Sequence, residues 1–217
     1  QWAYVKLGDL IDEPKYGTSK KCDYGIDGIG VLRIPNVANG FVDAADLKFA
    51  EFDEEAQTYK LRAGDILTIR SNGSVSLVGR CALVGKEDEK YLYAGYLIRI
   101  RPFKGVVRSE YLMNCFSSLL LRKQIESKAK STSGVNNINS SELRSLIVPI
   151  CGKEEQDAIL NEVESRLSVV SGIEVTLDVN FQRAERLRQS LLARAFTGEL
   201  LDGHDSERVV SFTSVAI

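Results

Sequence analysis

The residues best suited to acid-base chemistry are His204, the chain's one histidine, and its neighbours Asp202 and Asp205. A catalytic imidazole must be held rigidly against its partner. His204 lies in a C-terminal stretch with no apolar periodicity, so it reads as a solvated tail residue and not as part of a Ser-His-Asp or Cys-His site. Gly25-Ile-Asp-Gly-Ile-Gly30 has the spacing of a phosphate-cradling loop, yet its last glycine opens a strand-like run. Without a following helix N-terminus the anion-binding geometry is missing, and the segment reads as a turn. The acidic runs Asp53-Glu54-Glu55 and Glu87-Asp88-Glu89 offer oxygens to a divalent cation, but acidic surface turns explain them more simply. The sequence holds no Asn-Pro-Pro-Tyr-like motif of amino-methyltransferases and no nuclease-like Asp followed by Glu-x-Lys. These readings predict a chain that performs no bond chemistry and needs no cofactor or metal of its own.

Recognition of DNA fits the polar residues better. Reading base edges requires outward-pointing Arg, Lys, Asn, Gln or Ser on loops beside strands or helix ends, and phosphates need scattered cations and exposed N–H groups. Four stretches qualify. The first is Lys15, Tyr16, Thr18, Ser19, Lys20 and Lys21 around Gly17. The second is Arg70, Ser71, Asn72 and Ser74, extended by Ser76 and Arg80, directly after an apolar run. Tyr91 and Tyr93 flank a hairpin, and Lys128, Lys130, Ser131, Thr132, Ser133, Asn136, Asn137 and Asn139 form the last. Any one of them alone fits an ordinary solvated turn. Together they predict an interface in which the 70–76 and 131–139 loops touch bases, while Lys15, Lys20, Lys21, Lys128 and Lys130 hold phosphates.

Composition narrows how such an interface can be built. The 217 residues carry a net charge of −2, and residues 1–151 hold 21 Lys and Arg against 18 Asp and Glu while the remainder hold 7 against 12. Head and tail are therefore +3 and −5, so DNA contact must come from a local patch and not from a uniformly basic face. Cys22, Cys81, Cys115 and Cys151 are widely spaced without a C-x-x-C pair, which predicts free thiols of a cytoplasmic protein. No window reaches the roughly 20 apolar residues of a membrane span. The start at Gln1-Trp2, without Met, suggests a trimmed chain or a piece of something longer.

The elements that must position these residues fall into two groups. Residues 1–151 mix strand-like runs with turns: Gly28 to Pro35, Ile66 to Arg70, Cys81 to Val84, Tyr96 to Arg101 and Leu146 to Pro149. A helix is expected from Ser109 to Lys130, with Tyr111, Leu112, Cys115, Phe116, Leu119 and Leu120 on its apolar face. Ser131–Asn139 is expected to be a polar loop, followed by a short helix capped by Ser140 or Ser141. From Lys153 to Phe196 there is no proline, acids open the run, arginines close it, and Gly198 is placed to cap it. This predicts one helix of about 65 Å. Val163, Val170, Leu177, Ala184 and Leu191 fall one heptad apart, with Leu167, Ile173, Phe181 and Leu187 between them. That is a coiled-coil seam, and so long a helix should project and find a partner helix. Gly172 and the β-branched residues near it weaken the middle of the helix in isolation.

The order of these motifs resembles the specificity subunit of type I restriction-modification systems. Trp2-Ala-Tyr-Val-Lys-Leu-Gly-Asp-Leu10, Tyr16-Gly-Thr-Ser-Lys-Lys21, Val31-Leu-Arg-Ile-Pro-Asn36 with Gly40 and Asp43, Ala63-Gly-Asp-Ile-Leu67, Leu77-Val-Gly-Arg80 and Gly134–Asn139 all resemble its target-recognition domain. The helix from Glu155-Gln156 to Leu191-Leu-Ala-Arg-Ala-Phe-Thr-Gly-Glu-Leu200 is similar to the family's spacer region. The resemblance implies an α+β chain: a strand-rich globular target-recognition domain over 1–151, a long projecting coiled-coil helix over 152–200, and a tail over 201–217. It implies a non-catalytic subunit that binds double-stranded DNA at a bipartite target. It also implies partners: modification subunits that methylate adenine with S-adenosylmethionine, and restriction subunits. Full-length members carry two recognition domains and two spacer helices, so one of each predicts a half-subunit or a C-terminal half that dimerises through the seam. The competing expectation is a coiled-coil adaptor with no DNA role.

Overall fold

The computed structural model describes residues 2–51, 53–132, 134–198 and 200, with the backbone alone of Glu55 and Lys130–Thr132. Among the described residues the strands are β1 (Ala3–Lys6), β2 (Lys15–Tyr16), β3 (Ile29–Leu32), β4 (Lys48–Ala50), β5 (Ile66–Ile69), β6 (Ser71–Asn72), β7 (Cys81–Leu83), β8 (Leu92–Tyr93), β9 (Leu97–Ile100), β10 (Lys130–Thr132), β11 (Val135–Asn137) and β12 (Ile147–Ile150). The helices are α1 (Ser109–Ser117), α2 (Leu119–Lys128), α3 (Ser140–Arg144) and α4 (Lys153–Phe196). The chain divides into two compact units, 1–161 and 162–217.

The first unit is organised by an antiparallel sheet of order β2-β9-β5-β7 that is covered on both faces. Side chains alternate across a strand, and the core residues divide accordingly. Ile66, Ile98 and Ile100 pack with Leu112 and Phe116 of α1, Leu121 and Ile125 of α2, and Leu143, Leu146 and Val148. Leu67, Ile69 and Leu97 point the other way, onto Leu32, Val37, Ala82, Val84 and Tyr93. A second sheet, β4-β3-β8, carries the parallel β3–β8 pair. β1 pairs antiparallel with β12, Ala3 opposite Ile150. This pairing closes the unit between residues far apart in sequence.

One buried ion pair ties the sheet to its turns. Asp65, 1% exposed, accepts from Arg101 Nε and Nη2 at 2.6 Å each and from the Arg62 backbone N–H at 2.8 Å. The carboxylate raises the affinity of the Arg101 guanidinium for its proton.

The expected helix from Ser109 to Lys130 is two helices broken at Ser118, which has extended backbone. The Ser118 hydroxyl donates to Cys115 O at 2.6 Å and accepts from Leu121 N at 3.4 Å, so a serine that bonds the local backbone starts a new helix. The break changes which side chains face inward: Leu121 is buried, whereas Leu119 and Leu120, expected on the apolar face, are exposed.

The first turns of α4 belong to the first unit. Gln156 is fully buried; its Oε1 accepts from Arg108 N at 2.9 Å, and its Nε2 donates to Cys151 O at 2.9 Å. Arg108 grips Asp157 through two 2.8 Å bonds, and the guanidinium holds the Asp157 carboxyl below the usual carboxylate range.

The second unit consists, within the described residues, of the rest of α4 and its end. Helix bounds and length follow the sequence expectation, 44 residues from Lys153 to Phe196. Gly198, at φ 80°, lets the chain turn back so that Leu200 N donates to Arg194 O at 3.1 Å. Leu167, Val170, Ile173, Leu177, Phe181, Leu187 and Leu191 are all exposed, Phe181 at 74%. No helix among the described residues is long and apolar enough to cross a membrane.

Candidate nucleic-acid interface

The two stretches expected to touch bases meet in space. Arg70 follows the fully buried run Ile66–Ile69, and the chain continues as β6, which lies beside β11 with Asn72 opposite Asn136 and Ser71 opposite Asn137. β11 pairs in turn with β10, Lys130 opposite Asn137. Segments about sixty residues apart thus form one small polar sheet of order β10-β11-β6. The sequence reading expected loops here, because strands without apolar alternation carry no periodic signal.

Most polar side chains of this sheet hold its own backbone. Asn72 Oδ1 accepts from Ser74 N at 2.9 Å, Asn136 Nδ2 donates to Gly73 O at 2.9 Å, and the Ser74 and Ser76 hydroxyls bond each other at 2.9 Å. Arg80 donates through Nε to Ser76 O at 3.2 Å. Arg122 of α2, a residue the sequence reading passed over, donates to Val78 O at 2.8 Å and Ser76 O at 3.3 Å and braces the same turn. Nothing in its spacing set it apart from the other charged residues of α2, a helix in which only Leu121 and Ile125 are buried. Asn139, and not Ser140 or Ser141, caps α3. Its Oδ1 accepts from Glu142 N at 2.8 Å while Glu142 Oε2 accepts from Asn139 N at 2.9 Å, a reciprocal capping box.

Arg70 joins this sheet to β2. Its guanidinium lies over the Tyr16 ring at 4.6 Å from the centroid, and its Nε donates to Asn137 Oδ1 at 3.2 Å. The Tyr16 hydroxyl accepts from Ser140 N at 3.0 Å. Three of the expected stretches, those at 15–21, 70–76 and 128–139, therefore come together around Arg70.

Within the 15–21 stretch, Lys15, Ser19 and Lys21 are exposed. Lys20 forms an ion pair with Asp53, whose carboxyl is held below its ordinary range first by that bond. Thr18 is a correction: it is 3% exposed, its Oγ1 accepting from Lys20 N at 3.1 Å and its N–H donating to Tyr93 O. The cause lies next door, since a Cβ on Gly17 would come within 2.3 Å of Tyr93 O and Ala94 O; only glycine lets β2 run so close to that strand.

The Tyr91–Tyr93 hairpin is the second correction. Tyr93 is fully buried, edge-on to Tyr59 with ring centroids 6.2 Å apart, and burial pushes its hydroxyl up to about 12. It is a core residue because β8, paired parallel with β3, turns its ring into the cluster of Leu32, Leu67, Ile69 and Leu97. Tyr91 is half-buried against the same cluster, with the Lys90 ammonium over its ring. Lys128 is half-buried at the end of α2. Lys130, Ser131 and Thr132 are described by backbone only, and Ser133 lies outside the described residues, as do Asp202, His204 and Asp205.

The acidic runs are occupied by structure. Asp53 Oδ1 accepts from Ala56 N, Asp88 Oδ2 from Gly85 N and Glu89 Oε1 from Ala63 N, each pinning a turn. Among the described residues no cluster of three or more His, Cys, Asp or Glu could hold a metal ion. The four cysteines are free, and burial pushes the Cys81 thiol up to about 12 and the Cys115 thiol up to about 11.

The family model for the type I restriction modification DNA specificity domain matches residues 1–165. The chain belongs to this family. Its relatives among specificity subunits include that of the type I restriction enzyme EcoKI from Escherichia coli (strain K12), 36% identical over 198 residues, which are 90% of this chain and 42% of that protein. The specificity subunit of the type I restriction enzyme EcoBI from Escherichia coli is 28% identical over 204 residues, 92% of this chain and 42% of that one. The chain thus spans less than half the length of these specificity subunits. Among solved structures, a chain from the structural study of complex assembly and conformational transition of the type I R-M system superposes with a TM-score of 0.71 at 19% identity, covering 92% of this chain and 46% of that one. The HsdS subunit from Thermoanaerobacter tengcongensis gives 0.64 at 15% identity, covering 89% and 49%. At such identities the specificity-subunit structures speak for the fold, mixed strands and helices ending in a long helix.

Proposed function

We propose that the chain is a non-catalytic DNA-reading part of a type I restriction-modification complex, recognising one half of a bipartite double-stranded target. The observation that carries this reading is the convergence of the 70–76 and 130–139 segments into one small polar sheet, with Tyr16 and Arg70 at its side. At about 4.8 Å between strands, three short strands span roughly 10 Å, within the width of a DNA major groove of about 12 Å. Lys15 and Lys21, both exposed, supply phosphate contacts nearby.

The exposed apolar face of α4 serves as a homodimer seam through Val163, Leu167, Val170, Ile173, Leu177, Phe181, Ala184, Leu187 and Leu191. A helix pair of roughly 65 Å would set two recognition units apart by whole turns of DNA, each about 34 Å. The 1–151 part is the recognition domain, 152–200 the spacer that docks modification subunits, and 201–217 a tail. S-adenosylmethionine belongs to the modification partner, which methylates adenine; restriction subunits join afterwards, and the complex works in the cytoplasm.

The test is DNA binding followed by fluorescence anisotropy at rising salt, first with the chain alone and then with its cognate modification subunit added. Affinity should fall linearly on a log-log plot as salt rises, with one duplex sequence preferred over random DNA. Salt-independent or absent binding in both arms, with the modification subunit still retained, would instead favour a coiled-coil adaptor.

A further inference from the structure

We infer that Arg70 is a guanine reader, held in its reading pose by Tyr16 and Asn137; the inference rests on the DNA-binding function proposed above. The polar groups around it are largely spent within the protein: Asn72, Asn136 and Asn139 bond the backbone, and the Ser74 hydroxyl bonds that of Ser76. Arg70 is different. Its Nε is committed to Asn137 Oδ1 at 3.2 Å, and its Cζ lies over, 4.6 Å from the centroid of, a ring that is itself fixed by the bond from Ser140 N to the Tyr16 hydroxyl. Its two Nη groups have no partner among the described residues, and the side chain is only half-buried.

A guanidinium whose Nε is committed keeps two parallel N–H donors at its tip, one on each Nη. Two donors side by side require two acceptors side by side. On the major-groove edge only guanine offers them, as O6 and N7; adenine places a donor beside its N7, thymine shows one acceptor and a methyl, and cytosine shows a donor. The ring contact and the Asn137 bond restrict the rotational freedom that would let the fork settle on any nearby phosphate. Arg80 lacks that restraint: it is exposed, with one Nε bond to Ser76 O and no ring beneath it among the described residues. Tyr16 and Asn137 are positioning residues, acting on the base through Arg70.

The experiment starts with selection from a duplex library with a randomised core, using the full chain with its cognate modification subunit. The wild-type motif is expected to contain one guanine whose replacement costs roughly 5- to 150-fold in affinity. Arg70→Ala should make that position degenerate while preferences elsewhere persist, and Arg70→Lys, which keeps the charge, should lose the guanine preference more than affinity for random duplex. Replacing that guanine by 7-deazaguanine, which removes N7 and keeps base pairing, should weaken wild type by roughly tenfold and have no further effect on Arg70→Ala. Tyr16→Leu and Asn137→Ala should erode discrimination at the same position alone. A uniform loss across all sequences for Arg70→Ala, with the motif intact, makes Arg70 a phosphate anchor and overturns the inference. So does a motif whose guanines are indifferent to Arg70. A wild-type selection that enriches nothing overturns the DNA-reading function itself, and does so before any variant is made.

Discussion

Ile66–Ile69 and the stretch from Val170 to Phe181 are both rich in aliphatic residues, yet every residue of the first is buried and Val170, Ile173, Leu177 and Phe181 of the second are all exposed. The strand sits between two neighbours with cores on both faces. The helix segment is exposed throughout, and it carries Gly172 and six β-branched residues from Val169 to Val179 that lower its intrinsic helicity. Long helices in water owe most of their stability to packing of an apolar face. The two units therefore draw on separate sources of stability: the first is built from contacts within itself, and the second carries an exposed apolar pattern that a partner helix would cover.

The sharpest way to break this contrast is Leu177→Glu. A carboxylate in the middle of the seam should move the sedimentation mass from two chains to one and lower the far-UV helical signal, with the thermal transition of the first unit retained. An unchanged mass rules the seam out. Next in size is Asp65→Ala, which strips two short bonds from Arg101 and one from Arg62 N. Breaking a buried pair by removing one partner costs about 3–5 kcal/mol, and because Arg101 keeps some access to solvent the lower end is expected. A urea titration reads the loss. A change under about 1 kcal/mol would mean that the sheet does not depend on the pair, and the mass should stay that of the parent in either event.

What the sequence made legible follows the same division. α4 could be bounded from its periodicity, its end charges and Gly198, and β5, β7, β9 and β12 from short apolar runs, because each signal is local. The candidate interface could be proposed from the sequence as a set of residues, but its shape could not. β6, β10 and β11 have no apolar face, and their pairing joins Asn72 to Asn136 across the chain. Tyr93 looked like a hairpin aromatic free to touch a ligand, since nothing nearby in sequence tells that β8 lies parallel to β3 and inside Tyr59. Thr18 was hidden in the same way by the close approach of Gly17 to Ala94. The break at Ser118 was within reach, because two serines interrupt the apolar period there, but the leucines that follow keep the pattern going.

Two smaller effects test where the units divide and which polar residues are structural. Gln156→Ala leaves Arg108 N and Cys151 O without their buried partner, which should lower the urea stability of the first unit by about 2–3 kcal/mol without altering mass. If the loss appears instead as dissociation, the first turns of α4 serve the seam. Asn139→Ala is the smallest. It removes the acceptor for Glu142 N and half of a reciprocal cap, worth about 1 kcal/mol. The cap also orients Ser140, whose N–H fixes the Tyr16 ring beneath Arg70. The stability loss should therefore be accompanied by weaker guanine discrimination at the position read by Arg70. A variant that loses preference for a different base at full stability would make Asn139 a reader in its own right and not a cap.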